Sequence, residues 1–179
     1  MTSDSGQSRR EFVQDALDRF ERPLLRYARR LLGDAEAARD VVQETFLRLC
    51  SIEQDRIDGR IGEWLYTVCR NRAIDIGRKE SRMNLVGVGE HTALDREAST
   101  PTPADVIEGQ ETESRITRLI EALPPNQREV IQLKFQDGMS YREISRITEL
   151  TVSNVGYLIH MGMKALRRQM LPQEELNRD

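Results

Sequence analysis

The sequence predicts an all-α protein built as two small helical domains joined by a flexible linker. Three observations carry that prediction. Apolar residues recur at about 100° per residue toward both ends of the chain, which is the helical period. Charged side chains make up 32 % of the 179 residues and aromatics only 5 %, a composition that suits helical units with thin cores. From about Arg82 to Gln110 the period disappears, and Gly87, Gly89 and the run Ser99-Thr100-Pro101-Thr102-Pro103 take its place. These bounds put one domain at residues 8–82, a linker at 83–112 and a second domain at 113–171.

Net charge is −3 and is spread unevenly. Residues 1–80 balance 15 basic against 15 acidic groups, residues 81–113 carry 2 against 7, and residues 114–179 carry 10 against 8. Any nucleic-acid contact must therefore come from local patches. Cys50 and Cys69 match no metal or redox spacing and continue apolar stripes, so both read as reduced core thiols. No apolar run approaches the roughly 18–20 residues of a membrane span, and no signal peptide is visible. The expected location is the cytoplasm, with a membrane reached only through a partner. No carboxylate pair, triad, metal cluster or phosphate-cradling glycine loop is present, so neither an enzyme, a metal nor a cofactor is expected.

Residues 1–7 are small and polar and read as a frayed end. Arg9 to Leu32 is helical in pattern, with Pro23 expected to kink or split it and Gly33 to end it. Arg22, Arg26, Arg29 and Arg30 form a solvated basic face. Glu36 to Leu49 follows, with Asp34 as N-cap and Ala38, Val41, Val42, Thr45, Phe46 and Leu49 as the core stripe. Its opposite face holds Glu36, Asp40, Gln43, Glu44 and a central Leu47, with Arg39 and Arg48 only at the edges. That face is either solvated with one stray leucine or a docking surface for a basic or mixed partner helix.

A loop from Ser51 to Gly62 carries the turn signal Asp58-Gly59. The next helix, about Ile61 to Lys79, places Ile61, Trp64, Leu65, Val68, Cys69 and Ile76 on one face. Arg72 interrupts that stripe, with Asp75 as its expected partner. Arg70, Arg72, Arg78, Lys79 and Arg82 make the far end basic.

In the second domain, residues 105–122 read as a helix leading to Leu123-Pro124-Pro125-Asn126. A helix restarts near Pro125 and runs through Val130, Ile131 and Leu133 to Phe135, closed by Gly138. Ser140-Tyr141-Arg142-Glu143 is a capping box that opens a short helix with Ile144 and Ile147 inward. After a tight turn at residues 148–150, Thr151 caps a last helix over residues 152–170. This is the pattern of a helix-turn-helix, although three-helix units that never touch DNA share it.

Three stretches also carry a family resemblance. D-x-x-Q-E-x-F-L-R, from Asp40 to Arg48, resembles the polymerase-docking helix of bacterial sigma factors of the extracytoplasmic-function (group IV) class. The resemblance implies that Asp40, Gln43, Glu44 and Leu47 bind the β′ clamp helices of core RNA polymerase. W-L-Y-x-x-x-R-N-R-A-I-D, from Trp64 to Asp75, resembles the part of sigma domain two that reads the −10 promoter element. It implies a base-capturing pocket at residues 54–60 with Arg60 and Asn71, and backbone contacts from Arg70, Arg78 and Lys79. The stretch from Leu123 to Ile144 resembles sigma domain four, which reads the −35 element. The two matches, in this order and with no middle domain, cover residues 10–80 and 114–170. They imply promoter DNA and core polymerase as partners, with an anti-sigma factor as a possible third and no small-molecule substrate.

The last helix departs from that family's pattern. Its inward stripe is Val155, Ile159, Gly162 and Leu166, but positions usually basic hold Gly156, Leu158, Met161 and Met163. Outward lie Ser153, Asn154, Tyr157, His160, Lys164, Arg167 and Arg168, with His160 a surface histidine. One reading has Asn154 on a base edge and apolar contact with thymine methyls, beside Ser153 and Tyr157. Phosphate contacts from Arg142, Lys164 and Arg168 would position the helix. The other has Leu158, Met161 and Met163 meeting protein. The first is preferred. Gly156 and Gly162 each weaken the helix by roughly 1 kcal/mol relative to Ala. Two rivals to a sigma factor stay open: a mimic that binds an anti-sigma factor without contacting DNA, and an autonomous helix-turn-helix regulator.

Overall fold

The computed structural model describes residues 3–57, 59–85 and 108–170, and side chains over 9–57, 59–79 and 115–170. All regular structure among the described residues is helical. The chain divides into two compact units, Met1–Arg96 and Glu97–Asp179.

The first unit holds α1 (Ser3–Leu32), α2 (Ala35–Ser51) and α3 (Ile61–Leu85), with a single 3-10 turn at Gln54–Arg56. Each helix packs against the other two. Their core joins Leu24, Tyr27 and Ala28 of α1, Val41, Phe46 and Leu49 of α2, and Leu65, Tyr66, Cys69 and Ala73 of α3. The rings of Tyr27 and Tyr66 meet with centroids 5.0 Å apart. Asp34 caps α2, accepting a 2.7 Å bond from the Ala37 N–H, and Gly33 (φ 70°) ends α1.

Several expectations are corrected in this unit. Helix α1 starts at Ser3 where a frayed end was expected, and it passes through Pro23 without splitting. Proline inside a helix costs roughly 3 kcal/mol, and the full burial of Leu24, Tyr27 and Ala28 in the next turn offsets it. The buried face of α3 is rotated from the one expected. Tyr66 and Ala73 are buried, whereas Ile61, Trp64, Val68 and Ile76 are only half-buried. A flat ring against Tyr27 and a small Ala73 suit the cleft between two helices better than the bulkier residues beside them. Ile57, in the loop, is buried as well. Of the two free thiols, Cys50 is exposed, because it lies 100° round the helix from Leu49, where the stripe ends. Cys69 is buried, and burial pushes its thiol up to about 12.

The second unit holds α4 (Glu108–Glu121), α5 (Pro125–Phe135), α6 (Tyr141–Thr148) and α7 (Val152–Met170). Pro125 takes the first helical position of α5, where its missing N–H costs nothing. Ile120, Leu123, Ile131 and Leu166 form one cluster, with Leu119 and Ala165 packed on it. Val130, Leu133, Ile144, Ile147 and Val155 are buried too. Gly162 has a role beyond weakening α7: a Cβ there would stand 2.4 Å from Ile131 Cδ1, so any larger residue would make that methyl shift where α7 meets α5. Helices α3 and α4 extend into the expected linker, to residue 85 and from residue 108; residues 86–107 lie outside the described residues.

Candidate protein and nucleic-acid interfaces

On α2 the stripe Ala38, Val41, Val42, Thr45, Phe46 and Leu49 is buried throughout, and this turns the other face outward. Asp40 and Gln43 are exposed. Leu47 at the centre of that face is 63 % exposed. Glu44 is held differently. Its Oε1 accepts a 2.8 Å bond from Arg48 Nη2 and its Oε2 a 2.6 Å bond from Arg72 Nε. Burial pushes its carboxyl upward, but hydrogen bonds from Arg72 and Arg48, with their charges, win and leave it below its ordinary value. Arg72 therefore pairs across to α2 and not with Asp75, which is exposed. A carboxylate on a packed neighbouring helix offers better geometry than one three residues along the same surface.

The end of α2 is tied from far away in sequence. Arg9 Nη2 donates to the Leu49 carbonyl at 2.6 Å and also to the Ile52 carbonyl. This satisfies carbonyls that the helix end leaves open. The loop beyond is pinned by buried Ile57 and closes with Arg60 N–H donating to Ile57 O at 3.0 Å. An open depression beside it is lined by Arg48, Ser51, Ile52, Glu53, Arg56 and Trp64. Of the segment 54–60 expected to form a base pocket, only Arg56 lines this depression; Arg60 and Asn71 are exposed but stand outside its lining. Arg78 and Lys79 are exposed and Arg70 is half-buried. Asn71, Asp75 and Arg78 share one outward stripe of α3 at helical spacing.

In the second unit the capping box closes as expected. Ser140 Oγ accepts from Glu143 N–H at 3.3 Å, and Glu143 Oε2 accepts from Ser140 N–H at 2.7 Å. Asn154 N–H donates to Thr151 Oγ1 at 3.2 Å, which starts α7 and leaves the Asn154 amide free to point outward. Arg142, Ser153, Asn154, Tyr157, Lys164 and Arg168 are all exposed, and Val155, Ile159, Gly162 and Leu166 are all buried. Of the apolar strip along α7, Met163 is exposed and Leu158 and Met161 are half-buried.

The start of α7 also exposes apolar area, with Val152 45 % and Tyr157 60 % exposed. The Tyr141 ring fills the space beside Gly156, 3.6 Å from where a Cβ would stand, and Lys134 Nζ sits 5.4 Å from its centroid. Sequence reasoning gave Arg9 and Tyr141 no such role and paired Arg72 with Asp75. Only Arg72 left a signal, as a cation in an apolar stripe. Among the described residues no His, Cys, Asp and Glu cluster could hold a metal ion, and no helix is long and apolar enough to cross a membrane.

Two packed helical units, one with an acidic outward helix and one with a helix-turn-helix, define a sigma-type architecture. The sigma-70 region 2 family model matches residues 16–83, and the sigma-70 region 4 model matches residues 113–166. The chain is 31 % identical over 163 residues to the ECF RNA polymerase sigma factor SigW of Bacillus subtilis, covering 87 % of each chain. It is 34 % identical over 148 residues to the ECF RNA polymerase sigma factor SigL of Mycobacterium tuberculosis, covering 80 % of each. Its fold is similar to that of the sigma factor RpoE solved with the anti-sigma factor NepR from Bartonella quintana. The TM-score is 0.68 at 22 % identity, over 88 % of this chain and 95 % of that one. The chain belongs to the family of ECF RNA polymerase sigma factors.

Proposed function

We propose that this chain is a promoter-specificity factor that binds core RNA polymerase through the outward face of α2 and carries it to −10 and −35 elements. The observation that carries this reading is Leu47, left 63 % exposed between Asp40 and Gln43 while the other side of the same helix is fully packed. Asp40, Gln43 and Leu47 grip the β′ clamp helices: an apolar knob gives area, and flanking acid and amide groups give register. The loop before α3, with Arg60, and the outward stripe of α3, with Asn71, Arg78 and Lys79, take the −10 strand. Opening a duplex costs a few kcal/mol per unstacked base, which contacts made only in the open form must offset.

At −35, Asn154 reads a base edge. Val152 and Tyr157 meet thymine methyls, and Arg142, Lys164 and Arg168 hold phosphates. The factor performs no covalent chemistry and works in the cytoplasm, with residues 83–112 linking its two domains. An anti-sigma factor is a fitting regulator, since the similar RpoE was solved with one.

The test is co-purification with core polymerase. Asp40→Ala/Leu47→Ala is expected to lower recovery at least tenfold while leaving the helical spectrum intact; equal recovery overturns the docking assignment. A mimic of sigma that only binds an anti-sigma factor is the second reading. It is favoured by α7, which carries no Lys or Arg before Lys164. Transcription from candidate promoters separates the two, because a mimic yields no transcript.

A further inference from the structure

Glu44 lies on α2, the helix assigned to polymerase docking, but its carboxylate is held differently from the side chains of Asp40 and Gln43. Both of its oxygens are occupied within the chain, one by Arg48 on the same helix and one by Arg72 on α3. The side chains of Glu44 and Arg72 are 35 % and 32 % exposed, while Arg48 is 53 % exposed. The cross-helix pair is therefore the more sheltered of the two. Two guanidinium groups around one carboxylate leave the spot net positive, which repels a basic side chain of a partner. Asp40, Gln43 and Leu47 make no side-chain bond to another described residue and are the groups available to such a partner.

Arg72 adjoins Asn71 on the helix assigned to the −10 element, and its neighbour Ala73 is buried in the seam between helices. A cross-helix pair at that seam favours one rotation and slide of α3 along α2, and being part-exposed it acts on placement more than on stability.

We propose that Glu44 and Arg72 form a latch that sets the register of the promoter-reading helix α3 on the docking helix α2. Glu44 thereby serves promoter opening by positioning Arg72, and not by pairing with polymerase. The inference rests on the reading of α2 and α3 given above. It makes Arg72 a positioning residue, acting through the placement of Asn71, Arg78 and Lys79.

The experiment compares wild type, Arg72→Glu, the milder Arg72→Gln, and the charge swap Glu44→Arg/Arg72→Glu in the full chain. Core recovery, thermal melting and opening of the −10 region at saturating core (by fluorescence of 2-aminopurine placed there) are read on each. Arg72→Glu and Arg72→Gln are expected to bind core within about threefold of wild type, yet to open the promoter at least tenfold less. The swap restores opening to within about threefold and keeps core binding. The proposal is overturned if the swap loses core binding tenfold or more, since Glu44 would then be a direct polymerase contact. It is equally overturned if Arg72→Gln opens the promoter as wild type does. Failure of the wild-type protein itself to bind core would strike the functional reading instead. The melting comparison of the singles with the swap would still test whether the two charges are coupled in the fold.

Discussion

The two units are held together by different kinds of bond. In the first, the ties reach across the chain: Arg9 reaches carbonyls 40 and 43 residues away, Arg72 reaches a carboxylate 28 residues away, and Tyr27 meets Tyr66. In the second, several are short. Ser140 and Glu143 close on each other, Thr151 takes the Asn154 N–H, and Ser145 Oγ donates to the Leu150 carbonyl at 2.6 Å. In the reading proposed above, the first unit docks on one face and takes a DNA strand on another, and its long-range ties fix the helices that carry those faces relative to each other.

Arg9→Ala is the largest test of that contrast. One guanidinium nitrogen serves the carbonyls of Leu49 and Ile52, and hydrogen bonds to a charged group are worth about 1.5–3 kcal/mol each. The expected loss is about 2–3 kcal/mol, because water recovers part of it at the freed helix end. The only tryptophan, Trp64, lies in this unit, so urea unfolding followed by its fluorescence reads the change directly. A loss below that of any cap substitution in the second unit would break the contrast.

Ser140→Ala comes next, at about 1 kcal/mol near neutral pH. The bonds from the Ser140 hydroxyl and then its backbone N–H, opposed by some burial, hold the Glu143 carboxyl below its ordinary 4.5. A carboxylate lowered in the folded state adds stability that is fully present above that ordinary value. The contribution fades as pH falls through the lowered folded value. Wild type should therefore lose stability progressively below about pH 4.5, and Ser140→Ala should lose less over the same range, as its Glu143 returns toward 4.5. Helicity against pH for the two proteins checks this; parallel curves would remove the cap from the account.

The same contrast explains what could be read from residues in a row. The bounds of α7, its inward stripe and the Ser140 cap were legible because each is written within a few positions. The outward face of α2 was legible too, since an amphipathic helix shows its bare side in its own sequence. The buried face of α3, the partner of Arg72 and the clasp of Arg9 were not, because each depends on where a second helix lies. Gly162 belongs with these: its meaning lies in Ile131 Cδ1, 2.4 Å from the Cβ it lacks. Cys50 shows the limit from the other side, since a stripe does not announce the residue at which it ends.

The smallest effect tests whether the second unit is as locally determined as its caps imply. Left-handed backbone is taken by glycine at Gly33, Gly59 and Gly138, but in the turn of the helix-turn-helix it is taken by Glu149 at φ 61°. An L-residue there costs roughly 1–2 kcal/mol. Glycine removes that cost and returns about 0.5–1 kcal/mol through its freer unfolded chain. Glu149→Gly is thus expected to stabilise the protein by about 0.5–1 kcal/mol, visible as a higher urea midpoint by circular dichroism with the slope unchanged. No gain would mean that the Ser145–Leu150 bond and the burial of Ile147 and Thr148 impose the turn. Of these, the burial of Ile147 and Thr148 is the part that no short stretch of sequence contains.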